Sequence, residues 1–281
     1  MSEQKKELFD LVTLKSGMKS IRLSNTSQTF HPGIGPLAEA NILYVQQQKL
    51  IERCSLPGKF VIWDVGFGAA ANAIAAIEAL QNPVADVEIH SFEKSLDPIR
   101  FALTHADELG YIKPHAEPIE DLLKNHRVQL HPKLTWHLQL GDFRDQMLKK
   151  EIPSPNAIFY DPYSLSINIE MWTLEFFEKL RKCMDDQTPC LMTNYTRSTV
   201  MRVTWLLAGF YVGVGSTIGE KEETTVISNQ LELLDTPLDQ RWIERVKHSQ
   251  SANPIRGTEQ VIQPITTVDL ELLLKHPQFH T

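Results

Sequence analysis

Acidic residues follow four short apolar runs in this 281-residue chain, and each stands where a β-strand would end. Asp64 and Glu93 follow the first two runs, and Asp142 and Asp161 follow the next two. The carboxyl ends of parallel strands meet at one edge of an open α/β sheet, which is where such sheets bind ligands. Carboxylates gathered there can accept hydrogen bonds from hydroxyl and amino groups and can orient or deprotonate an amine. The pattern therefore predicts a ligand site at this edge.

The stretch FVIWDVGFGAAANA, residues 60–73, predicts a buried strand, a tight turn and the start of a helix. Gly66 and Gly68 leave room for a ligand against the backbone and the N–H groups of the helix start. Gly66-x-Gly68-x-x-Ala71 also satisfies the dinucleotide fingerprint, so a nicotinamide enzyme and an ordinary core turn remain open. Asp64 favours a ligand with an ammonium group over one with a pyrophosphate, and S-adenosylmethionine (SAM) carries that group.

Two later strand ends suit a bound nucleoside. The strand VADVEIHSF ends at Glu93, roughly 20 to 25 residues past the glycines, where a carboxylate binds both ribose hydroxyls. A carboxylate that caps the next helix is the alternative interpretation. Residues 133–140 predict a further strand, and Asp142 directly after it could accept from the adenine amine, with the ring edge packed on Phe143.

The fourth acid lies in the sequence Asp161-Pro162-Tyr163, which resembles the Asp/Asn-Pro-Pro-Tyr/Phe signature of amine methyltransferases. We predict that Asp161 binds and orients an acceptor amine, and that Tyr163 walls the site and faces the cation. A Pro-aromatic loop with a turn-forming Asp is the alternative. Upstream, His31 in a Gly/Pro-rich loop could touch the substrate or only pack, and Glu39 could contact a ligand or cap a helix through its dipole.

Composition excludes several classes of protein. A net charge of −7 gives no overall attraction to phosphate backbones, so we expect no DNA binding, and any contact with RNA must depend on a local basic patch. No apolar run approaches the roughly 18 residues of a membrane span, and the polar start lacks a signal peptide; we expect a cytoplasmic protein without membrane association. The three cysteines and ten histidines lack metal-ligand spacing, so no metal site is predicted.

The surrounding elements predict an α/β fold. A hairpin at residues 11–23, a helix from residue 37 to about 53 and alternating strands and helices lead to a final strand pair at residues 211–215 and 224–228. This is how a Rossmann-like class I SAM-dependent methyltransferase sheet ends, with its last strand antiparallel. We expect an N-terminal hairpin and loop at residues 1–35, the methyltransferase domain at 36–230, and a C-terminal extension packed on it at 231–281.

Taken together, residues 11–229 resemble the MnmC-type (MnmD-like) tRNA methyltransferases. The F-H-P-x-I-G-P-L-A-E loop is similar to the family's Y-H-S-x-x-G-A-x-x-E, and the chain also has the G-F-G turn followed by Asn72, and S-F-E-K at Glu93-Lys94. It further has the D-x-F/Y-x(7)-M-W block at residues 161–172 and a late A-G-F followed by a segment that carries Lys221.

The resemblance implies a stand-alone methyltransferase without the flavin oxidase domain, which methylates the aminomethyl group of the wobble uridine, 5-aminomethyl-2-thiouridine, in tRNA. SAM would be the cofactor, tRNA a transient partner, and a separate oxidase the source of the aminomethyl substrate. The predicted residues form three groups: catalytic Asp161 and Tyr163; substrate-binding His31, Glu39 and Lys221; and cofactor-binding Asp64, Gly66, Phe67, Gly68, Asn72, Glu93, Lys94, Asp142, Phe143 and Asp161.

The chain departs from the family pattern in two places. Ala70 stands where the family has a glycine, which we expect to narrow the SAM site, and residues 163–169 lack the usual prolines, which bears on acceptor specificity. Three other functions stay open: a methyltransferase of this fold that acts on a small-molecule or protein amine, a nicotinamide-dependent oxidoreductase, and a SAM-binding module without catalysis.

Overall fold

The computed structural model describes residues 8–24, 26, 28–31, 33–218 and 222–280. The strands are β1 (Phe9–Thr13), β2 (Lys19–Leu23), β3 (Lys59–Val65), β4 (Asp86–Glu93), β5 (Arg127–His131), β6 (Leu134–Leu140), β7 (Ala157–Tyr160), β8 (Leu191–Asn194), β9 (Tyr211–Gly215) and β10 (Thr224–Ser228).

The α-helices are α1 (Pro36–Ala40), α2 (Leu50–Arg53), α3 (Ala71–Ala79), α4 (Asp97–Thr104), α5 (Ala106–Leu109), α6 (Ala116–Asn125), α7 (Phe143–Gln146), α8 (Leu174–Cys183), α9 (Thr199–Leu207), α10 (Gln240–His248) and α11 (Thr267–Leu274). A π-helix spans Asn41–Gln46, and 3-10 turns lie at Lys113–His115, Ile169–Met171, Leu231–Leu233 and Pro277–Phe279. No helix in the described ranges is long and apolar enough to cross a bilayer.

The main sheet has eight strands in the order β5-β6-β4-β3-β7-β8-β10-β9. The five strands from β6 to β8 run parallel, while β10 is antiparallel to both of its neighbours, β8 and β9. The predicted Rossmann-like sheet with an antiparallel last strand is therefore confirmed, as is the separate N-terminal hairpin of β1 and β2. The antiparallel edge strand β5 was not predicted.

Both faces of the sheet are covered, which explains why β3 is an almost continuous apolar run. Val61, Trp63 and Val65 point into one buried cluster, and Phe60 and Ile62 point into the other. This alternation follows from the two-residue period of a strand. It leaves the carboxyl end of β3 fixed between two packed layers, so the turn that follows has a rigid support.

The helix predicted from residue 37 to about 53 is interrupted. The π-helix bond from Gln47 N–H to Ile42 C=O adds a residue to one turn, and Lys49 then adopts a left-handed conformation with φ 52° before α2 begins. The extra residue shifts the buried face, so the consecutive residues Leu43, Tyr44 and Val45 are all buried. The apolar pattern predicted one helix because it does not reveal this change of register.

The segment after β10 covers the β9 edge of the sheet. Leu238 N–H donates to Val212 C=O at 2.9 Å, and Val214 N–H donates to Thr236 C=O at 2.8 Å. The side chain of Gln278 accepts from Val212 N–H and donates to Val212 C=O, both at 2.8 Å. An edge strand with its backbone groups satisfied in this way is protected from pairing with other chains.

Candidate functional site

A cavity of about 680 Å³ lies at the carboxyl ends of β3, β4, β6 and β7, under the loop that follows β2. It is lined by these predicted site residues: His31, Glu39, Gly66, Phe67, Gly68, Asn72, Glu93, Lys94, Asp142, Phe143, Asp161 and Tyr163. Two predicted residues are not among them, because Asp64 does not line the cavity and Lys221 lies outside the described residues. The sequence analysis expected acidic residues at the carboxyl ends of parallel strands to meet at one edge of the sheet, an expectation that we call the strand-end rule. The residues that line the cavity are distant in sequence and meet at that edge.

The glycine turn packs against the loop after β7. Gly66 has φ +93°, and a Cβ at this position would overlap the backbone oxygen of Asp161. Glycine is therefore required here for two reasons, the left-handed backbone and the close approach of a neighbouring chain segment. Ala70 also has a positive φ of 64°, but its methyl group is fully buried and does not line the cavity. The expected narrowing of the site by Ala70 was wrong.

Glu93 is fixed by backbone donors. Its Oε2 accepts from Gly68 N–H at 2.9 Å, and its Oε1 accepts from Lys94 N–H at 2.8 Å and Ser95 N–H at 3.1 Å. Burial raises the pKa of Glu93, which these three hydrogen bonds oppose. The carboxylate therefore joins the glycine turn to the loop after β4 and has a set orientation at the cavity wall.

Asp142 forms an ion pair that the sequence reasoning missed. Arg144 donates to Asp142 from its backbone N–H at 3.0 Å and from its guanidinium at 2.9 and 2.5 Å. These bonds lower the pKa of Asp142 to about 2, so the carboxylate is ionised. Phe143 next to it packs edge-on against Phe92, with ring centroids 4.8 Å apart. Asp142 is the N-cap of α7 and accepts from the backbone N–H two residues on, which also brings the Arg144 side chain close to the carboxylate.

Asp161 lies at the centre of a polar group. Asn72 Nδ2 donates to Asp161 Oδ2 at 3.0 Å, and His31 Nε2 lies 3.7 Å from the same oxygen. On the other side of the ring, His31 Nδ1 lies 3.8 Å from Glu39 Oε2. Glu39 Oε1 accepts from the backbone N–H groups of residues 33 and 34, at 2.5 and 3.0 Å. Glu39 thus closes the loop that carries His31.

Aromatic rings wall the cavity beside Asp161. Tyr163 contacts Phe30 edge-on, with ring centroids 5.8 Å apart, and burial raises the pKa of Tyr163 to about 12. Tyr195, just past the end of β8, also lines the cavity, and its pKa is raised by burial and by the charge of Asp161. The sequence reasoning missed Phe30 and Tyr195. The strand-end rule would have found Tyr195 if it had been applied to aromatic as well as acidic residues.

Asp64 is fully buried in β3 rather than exposed to the cavity. Ser91 Oγ donates to its Oδ2 at 2.7 Å, and burial raises the pKa of Asp64 to about 7. Its Oδ1 has no hydrogen-bond partner among the described residues, and neither has the buried hydroxyl of Tyr44. We predicted that Asp64 contacts the ammonium group of a ligand directly. In this structure its carboxyl group is buried and does not line the cavity.

A second polar cluster lies on β4 and β6, outside the cavity. Ligand atoms of Glu88, His90 and His137 lie within 4.8 Å of one another, and the two imidazole rings stack 4.6 Å apart. Both ring nitrogens of His90 already face polar atoms, Glu88 Oε2 at 3.3 Å and Gln139 Nε2 at 3.2 Å. The absence of a metal site stays a prediction, and motif spacing could not have found this cluster because it crosses two strands.

The topology and the cavity define a class. A parallel sheet with an antiparallel last strand, a glycine turn after β3 and acids after β4, β6 and β7 is the arrangement of SAM-dependent methyltransferases. In agreement, residues 112–230 match the family described as S-adenosyl-L-methionine-dependent methyltransferase. The chain is a SAM-dependent methyltransferase.

Within this class it is related to the methyltransferase domain of the MnmC proteins, as the motifs indicated. It is 28% identical over 189 residues to the tRNA 5-methylaminomethyl-2-thiouridine biosynthesis bifunctional protein MnmC of Burkholderia vietnamiensis, covering 63% of this chain and 28% of that protein. The MnmC of Cupriavidus metallidurans is 27% identical over 212 residues, covering 70% and 30%. The chain thus matches less than a third of the length of these relatives.

A solved structure supports the same relationship over more of the chain. The crystal structure of MnmC2 from Aquifex aeolicus superposes with a TM-score of 0.71 and 25% sequence identity, covering 97% of this chain and 86% of that one. The match therefore includes the parts outside residues 112–230, among them the glycine turn.

The side chains around the glycine turn fit SAM. Gly66 and Gly68 both have positive φ, and both line the cavity. Asn72 lines the cavity, and its buried Oδ1 has no partner among the described residues. Buried acceptors need a donor, and together with the Glu93 carboxylate they suit a ligand that carries an ammonium group and hydroxyl groups.

Proposed function

We propose that this methyltransferase transfers the methyl group of SAM to a primary amine, namely the aminomethyl group of the wobble uridine, 5-aminomethyl-2-thiouridine, in tRNA. The position of the Asp161 carboxylate carries the proposal, since it lies in the same cavity as the glycine turn and is held there by Asn72. The names of the MnmC relatives, which refer to 5-methylaminomethyl-2-thiouridine, support this acceptor.

The chemistry requires an uncharged amine. When bound, SAM supplies a sulfonium-activated methyl group. An alkylammonium with a pKa near 10 is only about one part per thousand neutral at pH 7, so the acceptor must lose a proton before attack. Asp161 binds and orients the ammonium and takes its proton. The rings of Tyr163 and Phe30 line the site, where they exclude water and face the acceptor ammonium.

The remaining cavity residues divide between cofactor and acceptor in this proposal. Glu93 binds the ribose hydroxyls, Asp142 the adenine amine, and Asn72 the methionine end of SAM. Phe143 packs on the adenine edge, and Phe67 and Lys94 complete the cofactor side. Because the Asp142 oxygens already accept from Arg144, Asp142 would share its lone pairs with that side chain. Asp64 acts indirectly, through the strand that carries the turn.

Contact with tRNA must be local, since the chain carries a net charge of −7. Two cations near Asp142 supply it: Lys94, which lines the cavity and has a side chain that is 72% exposed, and Arg144, which pairs with Asp142 and has a side chain that is 39% exposed. His31, Glu39 and Lys221 belong to the proposed acceptor side. A separate oxidase that releases the aminomethyl group would supply the substrate.

A second candidate acceptor is a small-molecule or protein amine. Leu165 and Ile169 stand where the family's loop has prolines. Two serines of the same loop, Ser164 and Ser166, have their Oγ atoms 3.0 Å apart, and Gln28 Nε2 lies 3.1 Å from Ser166 Oγ. This polar rim differs from the loop expected for the tRNA enzymes.

The test is methyl transfer to defined acceptors. The purified protein and SAM are incubated with tRNA that carries aminomethyl-thiouridine, and the nucleosides are analysed by mass spectrometry. We expect a gain of one methyl group at that nucleoside, and none with the Asp161→Asn variant. Binding of SAM without any such product would reject the tRNA acceptor. A parallel assay with free alkylamines then tests the second candidate.

A further inference from the structure

His31 stands between two carboxylates at the cavity wall. Its Nε2 faces Asp161 Oδ2 at 3.7 Å and its Nδ1 faces Glu39 Oε2 at 3.8 Å. The side chains are mostly buried, with relative exposures of 15% for His31, 14% for Glu39 and 20% for Asp161. Both separations exceed a direct hydrogen bond, so contact needs a bridging water or a closure of about 1 Å.

Glu39 is fixed in a way that orients the ring. One carboxylate oxygen accepts from the backbone N–H groups of Gly33 and Ile34, which leaves the other oxygen facing Nδ1. The two carboxylate oxygens lie at nearly equal distances from the ring, but Asp161 Oδ2 already accepts from Asn72 Nδ2. Glu39 Oε2 is therefore the better acceptor for a ring hydrogen, which favours the tautomer with hydrogen on Nδ1. Nε2 then carries a free lone pair that faces Asp161. His31 also has a left-handed backbone, with φ 46°, and it lines the cavity.

We propose that His31 removes the proton that Asp161 takes from the acceptor ammonium, and that Glu39 sets the tautomer that makes this possible. An N–H bond of the ammonium breaks as an O–H bond forms on Asp161. That O–H bond then breaks as an N–H bond forms at His31 Nε2. The nitrogen keeps the electron pair with which it attacks the methyl group. Asp161 is a carboxylate again, and the imidazolium lies between two carboxylates.

This inference rests on the proposed amine methylation and explains how Asp161 can act as a base. A carboxylate is a weak base toward an ammonium whose pKa is near 10, so the proton must move on for the step to proceed. His31 and Glu39 act through Asp161 and are positioning residues rather than catalytic ones.

Polar groups from several elements surround the ring. Glu39 on α1 and Asp161 after β7 face it directly, and Asn72 on α3 is neutral. Behind them lie titratable groups that interact with Asp161: the phenols of Tyr44 on the π-helix and Tyr195 after β8, and the carboxyl group of Asp64 on β3. None of these named groups carries a positive charge.

Two variants test the proton transfer from Asp161 to His31, which we call the relay, while keeping the structure of the loop. His31→Asn removes the base but keeps a residue that tolerates a left-handed backbone. Glu39→Gln keeps an oxygen for the N–H groups of residues 33 and 34 but turns an NH₂ group toward Nδ1. The ring must then place its hydrogen on Nε2, and this nitrogen can no longer accept the proton from Asp161.

The experiment measures single-turnover methyl transfer to aminomethyl-thiouridine tRNA between pH 6 and 9.5, with SAM affinity measured by calorimetry. We expect both variants to lose roughly 10²-fold in rate at pH 7 and to approach the wild type toward pH 9.5, where about a quarter of an amine with a pKa near 10 is already neutral. SAM affinity should stay within about twofold. Nitrogen-15 NMR of the imidazole should show the hydrogen on Nδ1 in the wild type and on Nε2 in Glu39→Gln.

Chemical rescue gives a second test of the relay. Free imidazole should restore activity to a His31→Gly variant, because the glycine keeps the backbone and leaves space for the ring. A rate loss that is the same at every pH, or an unchanged tautomer in Glu39→Gln, would overturn the relay while leaving the methyltransferase intact. A wild-type enzyme that methylates no amine at any pH would instead reject the proposed function itself.

Discussion

Asn72 Nδ2 donates a 3.0 Å hydrogen bond to Asp161 Oδ2, and this bond joins two sites that the sequence separates by 89 residues. Asn72 lies in the first turn of α3, directly after the glycine turn, and Asp161 follows β7. The backbone of Asp161 also packs on Gly66. The proposed acceptor carboxylate is therefore positioned by the same turn that we propose holds SAM, which suits a reaction that must align two atoms.

Measurements of SAM binding and of methyl transfer can distinguish the roles proposed for Asp161 and Glu93. Asp161→Asn keeps the size of the side chain but removes its charge, so we expect methyl transfer to fall by at least about 10²-fold with little change in SAM affinity. Glu93→Gln should weaken SAM binding first. Calorimetry with SAM and single-turnover rates measure both. An equal loss of SAM affinity in the two variants would contradict this division of roles.

Gly66→Ala tests the packing of the glycine turn on Asp161. The new methyl group would overlap the Asp161 backbone, so we expect a loss of both stability and methyl transfer. Gly17→Ala is the matched control, since Gly17 has a similar φ of +83° but no atom within 4 Å of the new Cβ. The control should cost only about 1 kcal/mol of unfolding free energy, for the strained backbone, and leave the rate unchanged. Equal effects of the two substitutions on the rate would argue against the contact.

The sequence predicted the residues of the cavity better than their contacts. The strand-end rule identified Glu93, Asp142 and Asp161 because parallel strands carry their carboxyl ends to one edge. It did not show that Asp64 turns into the interior, because the two faces of a strand buried on both sides look alike in sequence. It also missed Arg144, whose pairing with Asp142 depends on the local geometry of a helix start.

Irregular elements account for the remaining errors in the fold. The π-helix and the left-handed Lys49 break a segment whose apolar pattern reads as one helix. Strand β5 is mostly polar and lies at the sheet edge, so it lacks the apolar signal of the central strands. Helix α11 was missed because its leucines do not fall on one clear helical face. Each of these elements is set by tertiary packing rather than by local pattern.

The titration of Asp64 predicts a pH-dependent stability. Its pKa in the folded protein is raised to about 7 from an ordinary value near 4, so the folded state binds the proton more tightly than the unfolded state. This contribution to stability is fully present below pH 4 and is lost as the pH rises through 7. The unfolding free energy of Asp64→Asn, relative to that of the wild type, should therefore rise by roughly 1.4 kcal/mol for each pH unit between about pH 4 and 7.

Urea unfolding between pH 5 and 8, without SAM, measures the difference between Asp64→Asn and the wild type. Other titrating groups cancel in that difference because both proteins share them. Asp86→Asn, at an acid whose side chain is 73% exposed on the neighbouring strand, controls for the loss of one negative charge. A difference that does not change with pH would mean that Asp64 is ionised throughout the range.

Gln278 tests whether the C-terminal extension is part of the fold. Its buried side chain accepts from Val212 N–H and donates to the carbonyl groups of Val212 and Leu238. Gln278→Ala would leave Val212 N–H without this acceptor inside the protein, and we expect a loss of about 2 kcal/mol of unfolding free energy. Gln230→Ala, which removes an exposed hydrogen bond to Asp186 C=O, should cost less than about 0.5 kcal/mol.

Chemical denaturation followed by tryptophan fluorescence suits this comparison, because Trp242 lies in the extension and Trp205 in the adjacent helix α9, both within one buried cluster. If the extension folds with the domain, both variants should unfold in a single transition, and only Gln278→Ala should shift its midpoint. A separate early transition in Gln278→Ala would instead show that residues 231–280 detach first. Since that segment protects the β9 edge, the detached state should also associate through the exposed strand, which light scattering would detect.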